Sequence, residues 1–197
     1  MAVDKATSLD ELNISVGALL EVAAGARWIR HPVAHATIIE LASSYGLLID
    51  AREWLAFRSL FADPVRIDLS SVNGSSPATL SIDDYVKTMA RNMALFDSTQ
   101  HLFSNYIVRF PSGSTNNAYG IFNGIAHHVL NDHDGSHMLS MGVRYSALFS
   151  RQLYGKPWRF RSLKIEQLWA SGAWDRVRRG SRGDAGPAAA VASRAGT

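Results

Sequence analysis

The feature that most narrows the fold is a change of texture near Asp97. Before it the chain reads as helices. After it come four long runs of β-type residues, 99–110, 117–130, 137–151 and 157–169, separated by loops carrying Pro, Gly, Ser, Asn and Asp. Long strands joined by hairpin-length loops pair antiparallel with their neighbours in sequence. Such a meander has an apolar face to bury, and the preceding helices are the cover at hand. The expectation is an α+β domain: a curved, cone-shaped antiparallel sheet with N-terminal helices packed in its concavity. Gly120, Gly124 and Gly142 lie within strands and mark places for bending. A strongly bent sheet with helices in its hollow leaves an interior pocket, so a small-molecule site is expected rather than a flat interaction face.

The helical portion carries its own punctuation. Ser8 with Glu11 forms a capping box ahead of LNISVGALLEVAAGARWI, and Pro32 suits the first turn of a helix over about 33–48 with Ile38, Leu41, Tyr45 and Leu48 on one stripe. Asp50 and Glu53 read as a cap for a short helix whose apolar face is Trp54, Phe57 and Phe61. A strand over 64–70, a loop over 71–80 and a helix capped by Ser81 complete the front part. The resulting division is an N-terminal helical extension (1–32), the α+β domain (33–174) and a disordered Arg/Gly/Ala tail (175–197), too poor in apolar surface to order itself.

Charge and composition remove several classes of function. From Asp175 onward lie five arginines and two aspartates, which account for the net +3, so the body is neutral. The high pI is no sign of a basic binding face, and no nucleic-acid partner is expected. The absence of cysteine excludes thiolate nucleophiles, Fe–S clusters and zinc–thiolate sites. The N-terminus has no signal-peptide pattern and no window reads as a bilayer span, so no membrane partner and a cytoplasmic location are expected.

With 7 histidines in the chain, imidazole is the conspicuous chemistry. In the strand around 117–130, Ala118, Gly120, Phe122, Gly124, Ala126 and His128 share one face. These side chains are mostly small and leave room for a ligand. His128 is therefore the first choice for a pocket base and His127 the second, a bulge exchanging them. Asp50 is the acidic candidate, with the helix-cap role as its competitor. An Asp–His pair in a dry pocket can move protons near neutral pH. His133-Asp134-x-x-His137 fits no standard ligand spacing, so neither metal nor other cofactor is expected.

The segment YGLLIDAREWLAFRSLFADPVRIDLS, followed by TQHLFSNYIV, AHHVL, GVRYSALFSR and WRF, resembles the SnoaL-like, scytalone-dehydratase-like family of the nuclear-transport-factor-2-like superfamily over about residues 33–172. The resemblance implies a cone fold and a cofactor-independent Asp–His pair. By it Asp50 and His128 are the catalytic pair and His101 a second pocket histidine. Tyr45 and Tyr145 take substrate-binding positions, and Asn105, Phe103, Phe122, Phe149 and His127 are further candidates for contact or wall. Two tyrosines that hold a water in scytalone dehydratase are replaced by Ile49 and Leu69, which argues against scytalone as substrate. The expected activity is a dehydratase- or isomerase-type lyase acting on a small apolar oxygenated substrate of polyketide, terpenoid or aromatic metabolism. The alternative is a non-catalytic binding or assembly module. An outer sheet face bearing Tyr119, Ile121 and Ile125 suggests a homodimer or homotrimer.

Overall fold

A computed structural model describes residues 31–111, 114–172 and 174. The expected helix over residues 8–30 and the tail from 175 lie outside the described residues. Helix α1 (Pro32–Asp50) starts on its proline, and α2 (Trp54–Ser59) follows after a tight turn. Strand β1 (Phe61–Asp68), a single helical turn α3 (Ser70–Asn73) and the short β2 (Ala78–Leu80) lead to α4 (Ile82–Met93). The remainder is the meander β3 (Ser98–Arg109), β4 (Asn117–Asp132), β5 (Gly135–Ser150) and β6 (Arg159–Gly172).

The strand order is β2-β1-β6-β5-β4-β3. The four long strands pair antiparallel as the loop lengths require, but β1 joins β6 in parallel, so the sheet is mixed. Strand β1 begins three residues earlier than the apolar pattern suggests, because Phe61 faces the core instead of ending α2. The 71–80 loop contains α3 and β2, whose pairing Val65–Leu80 closes the sheet edge.

Helix α1 packs across β3. Its buried stripe is Ile38, Ala42, Tyr45 and Ile49, rotated from the expected one; Leu41 and Leu48 are only partly buried. In length and hydropathy this helix reaches the range of a membrane span, contrary to the sequence reading, yet this stripe forms part of the domain's core. Gly46 lies on the same side, where an added Cβ would sit 2.9 Å from both His101 Cβ and Phe103 Cε2. The missing side chain lets helix and strand approach closely. One turn further on, the same closeness carries Asp50 to the β3 backbone. At α4, Ser81 Oγ accepts a hydrogen bond from Asp84 N at 3.2 Å, the cap its sequence announces.

The core is aromatic. Tyr45, Phe57, Phe61, Tyr85 and Phe160 interlock under the helices, and Phe103, Phe122 and Tyr145 continue the cluster onto β3, β4 and β5. The alternation on β4 holds without slippage against β5: Ala118, Gly120, Phe122, Gly124, Ala126 and His128 are all buried.

Candidate active site

Asp50 ends α1, and its carboxylate turns towards β3. Oδ2 accepts the backbone N–H of His101 at 2.7 Å. Oδ1 accepts the Thr99 hydroxyl at 2.8 Å and lies 2.7 Å from His101 Nδ1. The cap role is therefore absent: Glu53 is the N-cap of α2, with no side-chain cap bond. Burial would raise the Asp50 carboxyl, but the hydrogen bonds and charge of His101 and the Thr99 hydroxyl outweigh it and hold it below the usual carboxylate range.

An ionised, acceptor-only carboxylate beside Nδ1 requires a proton there. In its neutral form His101 therefore carries its lone pair on Nε2. The His101 side chain is only 7% exposed.

His128 comes next, on β4. Its ring meets that of His101 edge-on, centroids 5.5 Å apart, and packs on Phe96 at 4.5 Å and Trp174 at 5.9 Å. The residue is 3% exposed, and its Nδ1 is buried without a partner among the described residues. Burial first, and then the neighbouring His101, push its pKa down to about 3, so it is neutral at ordinary pH. The expected Asp50–His128 pair is thus resolved differently: the hydrogen bonds of Asp50 go to His101 and Thr99. The reason is register. Thr99, His101 and Phe103 alternate onto the inner face of β3 directly under α1, whereas His128 sits one strand further, opposite Thr99.

The other candidates separate. Tyr45 and Tyr145 are buried, with Tyr45 Oη 3.1 Å from Tyr85 Oη. Burial raises Tyr45 to about 12 and lifts Tyr85 and Tyr145 well above the usual phenol range. Phe122 lies flat on Tyr145, centroids 4.8 Å apart, and Phe103 stands edge-on to both. Phe149 is fully buried against Phe160. Asn105 is not with them. It occupies a break in the β3–β4 register at φ 55° and is exposed, its Oδ1 accepting from Ser104 Oγ. His127 points to the opposite face of β4, bonded to Ser140 Oγ at 2.8 Å. His133 is exposed in the β4–β5 turn with Asp132 and Asp134, and His137 Nε2 lies 3.0 Å from Asp132 Oδ1.

Three participants escape a search for acid–base residues: Thr99, Arg52 and Tyr85. Thr99 was legible, standing two residues before His101 and so on its face of the strand. Arg52 and Tyr85 become neighbours of the site only through the packing of α1, α4 and β3.

The model of the SnoaL-like domain matches residues 33–164. The chain belongs to this family. Solved structures agree with the SnoaL-like fold. Protein Kfla4162 of Kribbella flavida is 26% identical, with a TM-score of 0.63 over 69% of this chain and 91% of that one. A Novosphingobium aromaticivorans protein provisionally named a scytalone dehydratase is 18% identical, TM-score 0.60, over 83% and 96%. A hexachlorocyclohexane dehydrochlorinase of Novosphingobium barchaimii is 18% identical, TM-score 0.56, over 71% and 90%. No curated protein sequence matches the chain.

Proposed function

We propose that Asp50, His101 and His128 form an acid–base centre for proton abstraction and elimination on a small, largely apolar, oxygenated or halogenated molecule. The observation that carries the reading is the 2.7 Å contact between Asp50 Oδ1 and His101 Nδ1 in a side chain almost wholly withdrawn from water. Asp50 holds the Nδ1 proton in place, and Nε2 of His101 is the base. It takes a proton from carbon; the C–H pair becomes a C=C bond or an enolate. In an elimination the bond to the leaving group on the adjacent carbon breaks. A departing hydroxyl leaves as water, taking the proton from His101, whereas a departing halide leaves as an anion. His128, held neutral, has no imidazolium proton to give at ordinary pH and serves as a hydrogen-bonding partner to the substrate oxygen or leaving group. Two relatives whose names describe a dehydratase and a dehydrochlorinase support this class of chemistry.

The test is isotope exchange in D2O with a panel of cyclic ketones and of β-hydroxy or halogenated ring compounds, followed by proton NMR. The expected result is deuterium uptake or elimination that falls by about 10²–10⁴-fold in His101→Gln. Turnover that survives in that variant would sink the assignment. A second reading, a binding module without chemistry, draws on Ile49 and Leu69: one is buried and the other packs against the core, and neither offers a hydroxyl. Ligands that bind the chain with no exchange or elimination in any case would decide for it.

A further inference from the structure

Arg52 follows the carboxylate by two residues and has a left-handed backbone at φ 59°. For a long side chain that conformation is unfavourable, and glycine is the residue that adopts it freely. The side chain must therefore offset the backbone cost, and its contacts indicate how. Its Nη1 donates to Ile49 O at 3.1 Å, at the end of α1. Its Nη2 donates to Met93 O at 3.2 Å and Phe96 O at 3.4 Å, around the end of α4. A guanidinium between two helix C-termini adds a second donor to the Ile49 and Met93 carbonyls, which already accept the Arg52 and Phe96 N–H groups, and meets the negative ends of both dipoles. Nη1 also donates to Thr99 Oγ1 at 3.1 Å.

That last bond fixes a proton. The Thr99 hydroxyl has one hydrogen to donate, and guanidinium is donor-only. With Arg52 on one of its lone pairs, the hydroxyl directs its hydrogen to Asp50 Oδ1, a carboxylate oxygen that carries no hydrogen of its own. We propose that Arg52 is a positioning residue, acting through the Thr99 hydroxyl to keep a hydrogen bond on the Asp50 carboxylate and so set the ionisation and orientation of the group that governs His101. The assignment rests on the reading of Asp50 and His101 as the working pair. Arg52 never needs to touch a ligand.

The experiment is a carbon-13 NMR titration of the Asp50 carboxyl in the ligand-free full chain. Four proteins are compared: wild type, Thr99→Val, Arg52→Gly and the double variant. Arg52→Gly suits the left-handed backbone and removes the guanidinium together with its methylene stem. Each single change is expected to move the Asp50 midpoint upward. The double variant is expected to show no larger shift than Thr99→Val alone, since the arginine acts through that hydroxyl. A midpoint unmoved by Thr99→Val or by Arg52→Gly overturns the relay, as do shifts that add in the double variant. Should Arg52→Gly not fold, Arg52→Lys takes its place in the same comparison, with a smaller upward shift expected from its single nitrogen. A loss of stability alone would not move the midpoint in this pattern. Because no substrate is present, the titration can hold while isotope exchange fails, or fail while exchange holds.

Discussion

Replacing Asp50 by asparagine exchanges one carboxylate oxygen for an NH2 group and should reverse the tautomer of His101. In the native chain both carboxylate oxygens are acceptors, one for the His101 backbone N–H and the other for Thr99 Oγ1 and His101 Nδ1. An asparagine has one acceptor end and one donor end. The backbone N–H is a fixed donor, so the amide oxygen must face it. The amide NH2 then faces Thr99 and Nδ1. A hydroxyl can turn to accept, and an imidazole can accept at Nδ1 only by carrying its proton on Nε2. The base position is thereby occupied by a proton, while the contacts of the fold persist. Charge-assisted hydrogen bonds become neutral ones, a loss of about 1–3 kcal/mol in a site that is partly exposed. The pH dependence follows from the depressed carboxyl. A carboxyl held lower in the folded chain stabilises it above the unfolded value, near 3.9, and that contribution is lost as pH falls through the folded value. Asp50→Asn should lack this loss. The assay is nitrogen-15 NMR of the histidine rings together with urea unfolding between pH 7 and 3. If the variant's His101 retains the Nδ1–H form, the reasoning that the carboxylate sets the tautomer is refuted.

Two further substitutions test the framework. Gly46→Ala should gain up to about 1 kcal/mol of helix propensity. It should nevertheless destabilise the chain overall by about 1–2 kcal/mol, because its Cβ would lie 2.9 Å from the base of His101 and the ring of Phe103. A variant as stable as wild type in urea would show that α1 can lift away from β3 at no cost. His128→Phe keeps a ring between Phe96 and Trp174 but removes a buried Nδ1 that has no partner among the described residues. A histidine depressed from 6.5 to about 3 destabilises the fold as pH falls below 6.5, since the unfolded chain takes the proton first. The slope is about 1.4 kcal/mol per pH unit. The difference in unfolding free energy between wild type and variant, followed from pH 7 to 4, should show this slope; a flat difference would place His128 in water.

Much of the architecture was written in local pattern. Strand length and loop length dictate the antiparallel meander, Ser81 announces its helix, and the small residues on alternate positions of β4 mark its inner face. Period-2 alternation made His128 the first choice for the inner face and His127 the second, and His128 lies inside because nothing shifts the register of β4 against β5. What failed was local pattern read across a boundary. Asp50 with Glu53 has the spacing of a cap, yet a carboxylate at a helix end can serve either the next helix or a strand packed alongside. Asn105 lies in a stretch that reads as regular alternation, and the register break that turns it outward has no signature there.

The sequence by itself determined the supply of groups: an aspartate at the end of an apolar helix, histidines on two inner strand faces, and an aromatic interior to surround them. Which histidine receives the carboxylate was decided by tertiary structure. Gly46 lets α1 settle closely on β3, so Asp50 reaches His101 and Thr99 while His128 lies one strand beyond. A hydrogen bond forms or fails over less than an ångström. That distance is set by how two elements far apart in sequence pack, which a one-dimensional pattern does not encode.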